Sequence, residues 1–263
     1  MIRAMLERLR QKHRTIDFPR RDPVLPARFK GRPIIAIERC GAAQGAGCQA
    51  CATACATACP TAAVGVDAAG PVLDLGRCLF CGACAEACPA GVITFSGDFR
   101  LATRRREDLI WRGGQEVPAL EPLEPARLKL FKRSLKLRQV SAGGCNACEA
   151  DLNVLSTVVF DLGRFGIDFV ASPRHADGVV VTGPVTANMR EALELTLSAT
   201  PDPKIVVAVG ACAVSGGVYA GFPESHDGVG DIAPVDLYVP GCPPHPLTIL
   251  DGLLRLLGRG GGH

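Results

Sequence analysis

Thirteen cysteines in 263 residues carry the chemistry that this sequence announces, and their spacing divides them into three groups. The most regular is Cys78-Leu-Phe-Cys81-Gly-Ala-Cys84-Ala-Glu-Ala-Cys88-Pro89. This is the C-x2-C-x2-C-x3-C-P run in which three thiolates on a tight loop grip one four-iron, four-sulfur cubane and the fourth ligates a neighbouring one. A zinc site needs C-x2-C pairs and has no use for four cysteines in this order. The second group is irregular: Cys40, Cys48, Cys51, Cys55 and Cys59-Pro60, with the unit Cys-Ala-Thr-Ala repeated in tandem. Cys55 precedes Cys59 by four residues, as Cys84 precedes Cys88. That parallel pairs Cys48, Cys51 and Cys55 with Cys88 for one cluster, and Cys78, Cys81 and Cys84 with Cys59 for the other. Cys40 is then an alternative ligand to the first cluster or a free thiol.

The third group is dispersed. Cys145-Asn-Ala-Cys148, Cys212 and Cys242 each follow a short apolar run and a glycine (Gly143-Gly144, Gly210, Gly241). If those runs are parallel strands, their C-terminal ends share one sheet edge, where open α/β folds bind ligands. Four thiols would meet there, beside helix N-termini that favour an anionic centre. Cysteine is also a common small core residue. The company of eight ordered ligands nonetheless favours a third [4Fe–4S] cluster and a total of three.

The elements that must place these residues fall into a sequence of segments. Residues 1–35 hold a basic helix and a Pro/Arg-rich arm; 36–99 read as an α+β ferredoxin-like module for two clusters. Residues 100–135, with Arg104-Arg105-Arg106 and proline-spaced acids, read as a charged linker. In 136–257 apolar runs alternate with helical stretches. The expected strands are 137–140, 167–171, 178–182, 205–209 and 237–239; the expected helices are 149–158, 189–199 and 246–257. Val/Ile runs between Gly and Pro, alternating with helices, predict a parallel sheet buried on both faces, of flavodoxin-like type.

Aromatics make up only 5% and formal charge is +3, too small to argue for nucleic acid. No run approaches the roughly 20 apolar residues of a membrane span, and the start of the chain has no apolar secretory core. The expectation is a cytoplasmic chain with reduced thiols, peripheral on the cytoplasmic face of the inner membrane through partner subunits.

The stretches SAGG-Cys145-NA-Cys148-Glu149, RFGIDFVASPRHADGVVVTGPVTANM, VVAVGACAVSGGVY and VDLYVPGCPPHP resemble the small subunit of group 4 membrane-bound, energy-converting [NiFe] hydrogenases, including formate hydrogenlyase. The ferredoxin part resembles the separate polyferredoxin-type subunit of those complexes, so the chain looks like a fusion of two. The complex I subunit holding cluster N2 is similar too, but it has two adjacent cysteines where this chain spaces Cys145 and Cys148. The resemblance implies that Cys145, Cys148, Cys212 and Cys242 hold the proximal cluster, facing a large subunit that binds nickel and iron. Further redox and membrane subunits are implied as partners, and catalysis would sit on a partner. Glu149 is either a proton-transfer carboxylate or a helix N-terminal charge. Arg174, His175 and Asp177 are interface, cluster-environment or structural residues, and His245 has no assigned role. An equivalent relay in a nickel-free, complex I-like oxidoreductase is the alternative. A stand-alone ferredoxin with a degenerate second domain fits less well, because the set at 145, 148, 212 and 242 is intact.

Overall fold

The computed structural model describes residues 2–39, 49–67 and 70–260, with the backbone alone at 49–52. In chain order the elements are α1 (Ile2–Gln11), β1 (Pro33–Ile35), α2 (Gln49–Thr57), β2 (Val64–Asp67), β3 (Gly70–Asp74), α3 (Ala83–Glu86), β4 (Ile93–Phe95), β5 (Ile110–Arg112) and α4 (Pro125–Phe131). There follow β6 (Leu135–Ser141), α5 (Ala147–Val154), β7 (Ile167–Phe169), β8 (Gly178–Thr182), α6 (Ala187–Ala199), β9 (Ile205–Val209), α7 (Ala211–Ser215), β10 (Leu237–Val239) and α8 (Pro246–Leu256).

Strands β6 to β10 form one parallel sheet in the order β10-β9-β8-β6-β7. Numbered from β6, that is 2-1-3-4-5, the flavodoxin-like doubly wound order, with its switch point between β6 and β8. Side chains alternate across the sheet. Val180, Val207 and Leu237 face a core shared with α5 and α8. Val179, Val181, Val206 and Ala208 face a second core with Leu193 of α6 and Ala213 of α7. Because both faces are covered, every residue of β8 and β9 is buried. Helix α8 starts cleanly: Pro246 occupies its first turn, and the His245 ring accepts the Leu247 amide at 3.1 Å. Its Leu250, Leu253 and Leu254 are almost fully buried, each stabilising the fold by roughly 1.5–3 kcal/mol.

The cysteine-rich unit is closed by an antiparallel pair, Pro33 with Phe95 and Ile35 with Ile93, and extended by the three-stranded sheet β2-β3-β5. Its buried Ile35, Leu73, Cys84, Cys88 and Trp111 belong to the same apolar cluster as Val179 and Val206 of the parallel sheet. The unit therefore packs on the α6/α7 side and shares that core.

The stretch 100–135, expected as a linker, is folded. Its Leu109 and Trp111 enter the second core, while Leu120, Leu123 and Phe131 enter the first. Thr103 makes a two-way backbone bridge to Tyr238 at 3.0 and 2.8 Å, extending the sheet at its β10 edge. Arg127 on α4 forks onto Asp236 and reaches the Lys204 carbonyl at 2.6 Å. Charge-rich sequence hid single apolar anchors that have no helical or strand period. Among the described residues, no helix is long and apolar enough to cross a membrane.

Candidate iron–sulfur sites

Three of the parallel strands deliver thiols to one edge. Beyond β6 the chain passes Gly143 and Gly144 to Cys145, turns through Asn146 (φ 71°), and starts α5 with Cys148 in its first turn. Beyond β9, Gly210 leads into α7 and Cys212; beyond β10, Gly241 leads to Cys242. Gly210 has φ +91°, and a Cβ there would lie 2.5 Å from Cys148 Sγ. A Cβ at Gly217 would lie 2.8 Å from Cys212 Sγ. Glycine at both positions leaves the sulfurs room to face inward.

The electrostatics show that the four thiols share a space. Burial pushes the Cys148 thiol far up, and the charges of Cys212, Glu149, Cys242 and Cys145 push it further. Burial, with Cys242 and Cys145, lifts Cys212 to about 11. Burial and Cys145 raise Cys242. Such a set resists ionisation by protons alone; a cationic metal centre reverses that, since ligation deprotonates thiols. Among the described residues, no three His, Cys, Asp or Glu side chains close around a single metal ion.

The N-terminal thiols behave alike. Burial lifts Cys78 to about 12, opposed by the Phe80 amide and helped by Cys84, Cys59 and Cys81. Burial lifts Cys84 to about 11, with Cys59, Cys81 and Cys55 nearby. Cys59, Cys78, Cys81 and Cys84 are therefore one neighbourhood. Two amide bonds mark the internal repeat: Ala63 N–H donates to Cys59 Sγ at 3.1 Å, and Val92 N–H to Cys88 Sγ at 3.4 Å. Each comes from four residues beyond a Cys-Pro step. Cys55 and Cys88 are both buried in the second core. Cys40 and Cys48 lie outside the described residues; Cys51 lies on α2, with its side chain likewise outside them.

The two sets of thiols are docked to each other. Ser215, at the end of the helix that carries Cys212, donates to the Gly76 carbonyl at 2.9 Å, two residues before Cys78. Gly76 itself is walled by Val214 and Arg106. Within the N-terminal module, Lys30 donates its ammonium proton to the Cys81 carbonyl. Between the loops lies a cleft of about 690 Å³ bordered by Phe29, Lys30, Leu79, Phe80, Cys242 and His245. Lys30 and Phe29 carry no motif, so nothing in their sequence context marked them, while Ser215 lies inside the VVAVGACAVSGGVY stretch without being singled out there.

Glu149 is buried and accepts the Thr182 hydroxyl at 2.6 Å. Burial works to raise its pKa, but bonds from Ser141 and Thr182 outweigh it and hold the carboxyl below its ordinary value. His245 caps α8 and lies edge-on to Phe29 at 5.3 Å; burial lowers its pKa. Arg174 and His175 are exposed, and Asp177 accepts the Lys136 amide at 2.7 Å. All three precede β8, at the sheet edge opposite the thiols, so a place beside those thiols is not theirs.

Residues 145–256 match the family model described as NADH ubiquinone oxidoreductase, 20 kDa subunit, and residues 71–94 match a 4Fe-4S binding domain. The probable membrane-bound hydrogenase subunit mbhJ of Pyrococcus furiosus is 44% identical over 131 residues, covering 50% of this chain and 78% of the relative. Formate hydrogenlyase subunit 7 of Escherichia coli K12 is 41% identical over 140 residues, covering 53% of this chain but only 55% of the relative. An NADH-quinone oxidoreductase subunit of Citrifermentans bemidjiense is 43% identical over 113 residues, 43% of this chain and 66% of the relative. With a four-thiol sheet edge inside the matched segment, and 44% identity over 78% of the mbhJ relative, the chain belongs to the NADH ubiquinone oxidoreductase 20 kDa subunit family and also carries a match to a 4Fe-4S binding domain at residues 71–94.

Proposed function

We propose that this chain is the electron-relay subunit of a membrane-associated [NiFe] hydrogenase-type complex, evolving or oxidising hydrogen, and that it carries three [4Fe–4S] clusters. Cys145, Cys148, Cys212 and Cys242 hold the cluster that faces a nickel- and iron-binding large subunit. Cys59, Cys78, Cys81 and Cys84 hold a second. Cys48, Cys51, Cys55 and Cys88 hold the third, with Cys40 as the alternative ligand. When bound, such clusters supply one-electron carriers whose potentials follow charge, burial and hydrogen bonds to sulfur. The chain's own part is to give up thiol protons, to aim the Ala63, Phe80 and Val92 amides at sulfur, and to hold the sites close together. The bonds from Thr182 and Ser141 favour a structural part for Glu149, tying α5 to the sheet, over moving a proton.

The observation that carries this reading is the convergence of Cys145, Cys148, Cys212 and Cys242 from three strand ends, with a second four-thiol neighbourhood docked on it through Ser215 and Gly76. The test is the nickel and iron content of the native complex, purified anaerobically with this chain as bait. About one nickel per chain, and about 12 irons beyond the active site, is the expected result. Iron without nickel overturns the hydrogenase assignment and leaves a complex I-like relay, a reading supported by the 43% identity to the NADH-quinone oxidoreductase relative.

A further inference from the structure

Helix α1 contributes no buried residue. Its apolar side chains Ile2, Met5, Leu6 and Leu9 are 75%, 67%, 61% and 74% exposed. At about 100° per residue, these four fall within an arc of roughly 100°. Arg8 flanks that stripe on one side and Arg3 and Arg10 on the other, each about 90–110° from its centre. Glu7 and Gln11 occupy the back and are joined by a 2.8 Å bond from Gln11 Nε2 to Glu7 Oε1. Lys12 and Arg14 follow, so five fixed cations face one anion over residues 2–14.

We propose that α1 lies in the headgroup region of an anionic membrane leaflet, apolar stripe inward, giving this chain a direct lipid contact of its own. Placement of the charges selects lipid over an acidic protein surface. Guanidinium groups on both flanks of an apolar stripe reach headgroup phosphates at one common depth, while their stems cover hydrocarbon. The only acidic group points away, towards water. A juxtamembrane basic cluster gains further from the negative surface potential. Among the described residues the helix is tethered at its C-terminal end: Thr15 Oγ1 donates to the Val158 carbonyl at 2.7 Å and Ile16 N–H to that of Val159 at 3.0 Å. Val158 and Val159 are themselves exposed and lengthen the apolar surface at that point. The contact does not depend on the redox assignment.

The experiment is sedimentation of the full chain, cluster-loaded under anaerobic conditions, with phosphatidylcholine vesicles and with phosphatidylcholine–phosphatidylglycerol vesicles. Binding to the anionic vesicles alone, weakened by salt, is expected. The double variant Leu6→Asp/Leu9→Asp should lower the apparent affinity at least about tenfold, and Arg8→Glu/Arg10→Glu should do likewise. Cluster absorbance should stay unchanged in both, because α1 buries nothing. Failure to bind anionic vesicles, or binding that the leucine variant leaves intact, overturns the proposal. So does a leucine variant that sediments normally but no longer co-purifies with partner subunits, since that assigns α1 to protein docking.

Discussion

Gly210→Ala tests the geometry of the sheet-edge site directly. Gly210 sits at φ +91° and ψ 156°, a region nearly closed to side-chain-bearing residues and worth about 1–3 kcal/mol of strain. The new Cβ would also lie 2.5 Å from Cys148 Sγ, well inside ordinary contact distance. Cys148 cannot retreat as a unit, because α5 is tied to the sheet by the Glu149–Thr182 bond. Its sulfur must rotate away from Cys145, Cys212 and Cys242. For a unit of this size, about 2–4 °C of Tm per kcal/mol converts the strain into a loss of about 2–12 °C. Iron should fall from about 12 to about 8 per chain, read by anaerobic metal analysis of the purified variant. Gly230→Ala is the control, since a Cβ there meets nothing within 4 Å. Full iron and an unchanged Tm in Gly210→Ala would refute the placement of Cys148.

Three other measurements probe different parts of the molecule. Cys55→Ser should lose about four irons while Cys40→Ser keeps them all; the reverse would move the irregular block's ligand to Cys40. Burial lowers the pKa of His245, so the unfolded chain binds the extra proton first and stability is lost as pH falls below about 6.5. His245→Asn keeps a cap acceptor but cannot titrate, and should flatten that part of the stability–pH curve in denaturant melts. Arg127→Ala removes the fork onto Asp236 and the Lys204 carbonyl and should cost about 1.5–3 kcal/mol in equilibrium unfolding, a loss that a flexible linker would not show.

Legibility in the sequence followed how local each signal was. The Val/Ile runs of β8, β9 and β10, bounded by Gly, Pro or Asp, gave their limits to the residue. Strand β6 begins two residues early because Leu135 and Lys136 pair with Ile167 and Asp168 of β7, a partnership no local pattern states. Helix α5 stops at Val154, short of the expected 158, where Ser156 and the β-branched Thr157 and Val158 follow and the chain turns to receive Thr15 and Ile16. The gathering of Cys145, Cys148, Cys212 and Cys242 at one sheet edge was legible because each follows a strand and a glycine. The docking of one set on the other was not, since Ser215 touches the backbone carbonyl of Gly76, and any residue has one.

That docking, through Ser215 on Gly76 and the apolar core that the two modules share, has a kinetic meaning. Two separate proteins would exchange an electron only after diffusing together, orienting and parting again, at a rate set by their concentrations. Here encounter and release drop out: the neighbour is always present and always facing the same way. Dilution, ionic strength and competing redox proteins then act only at the outer ends of the chain of sites, never on the step between the two modules.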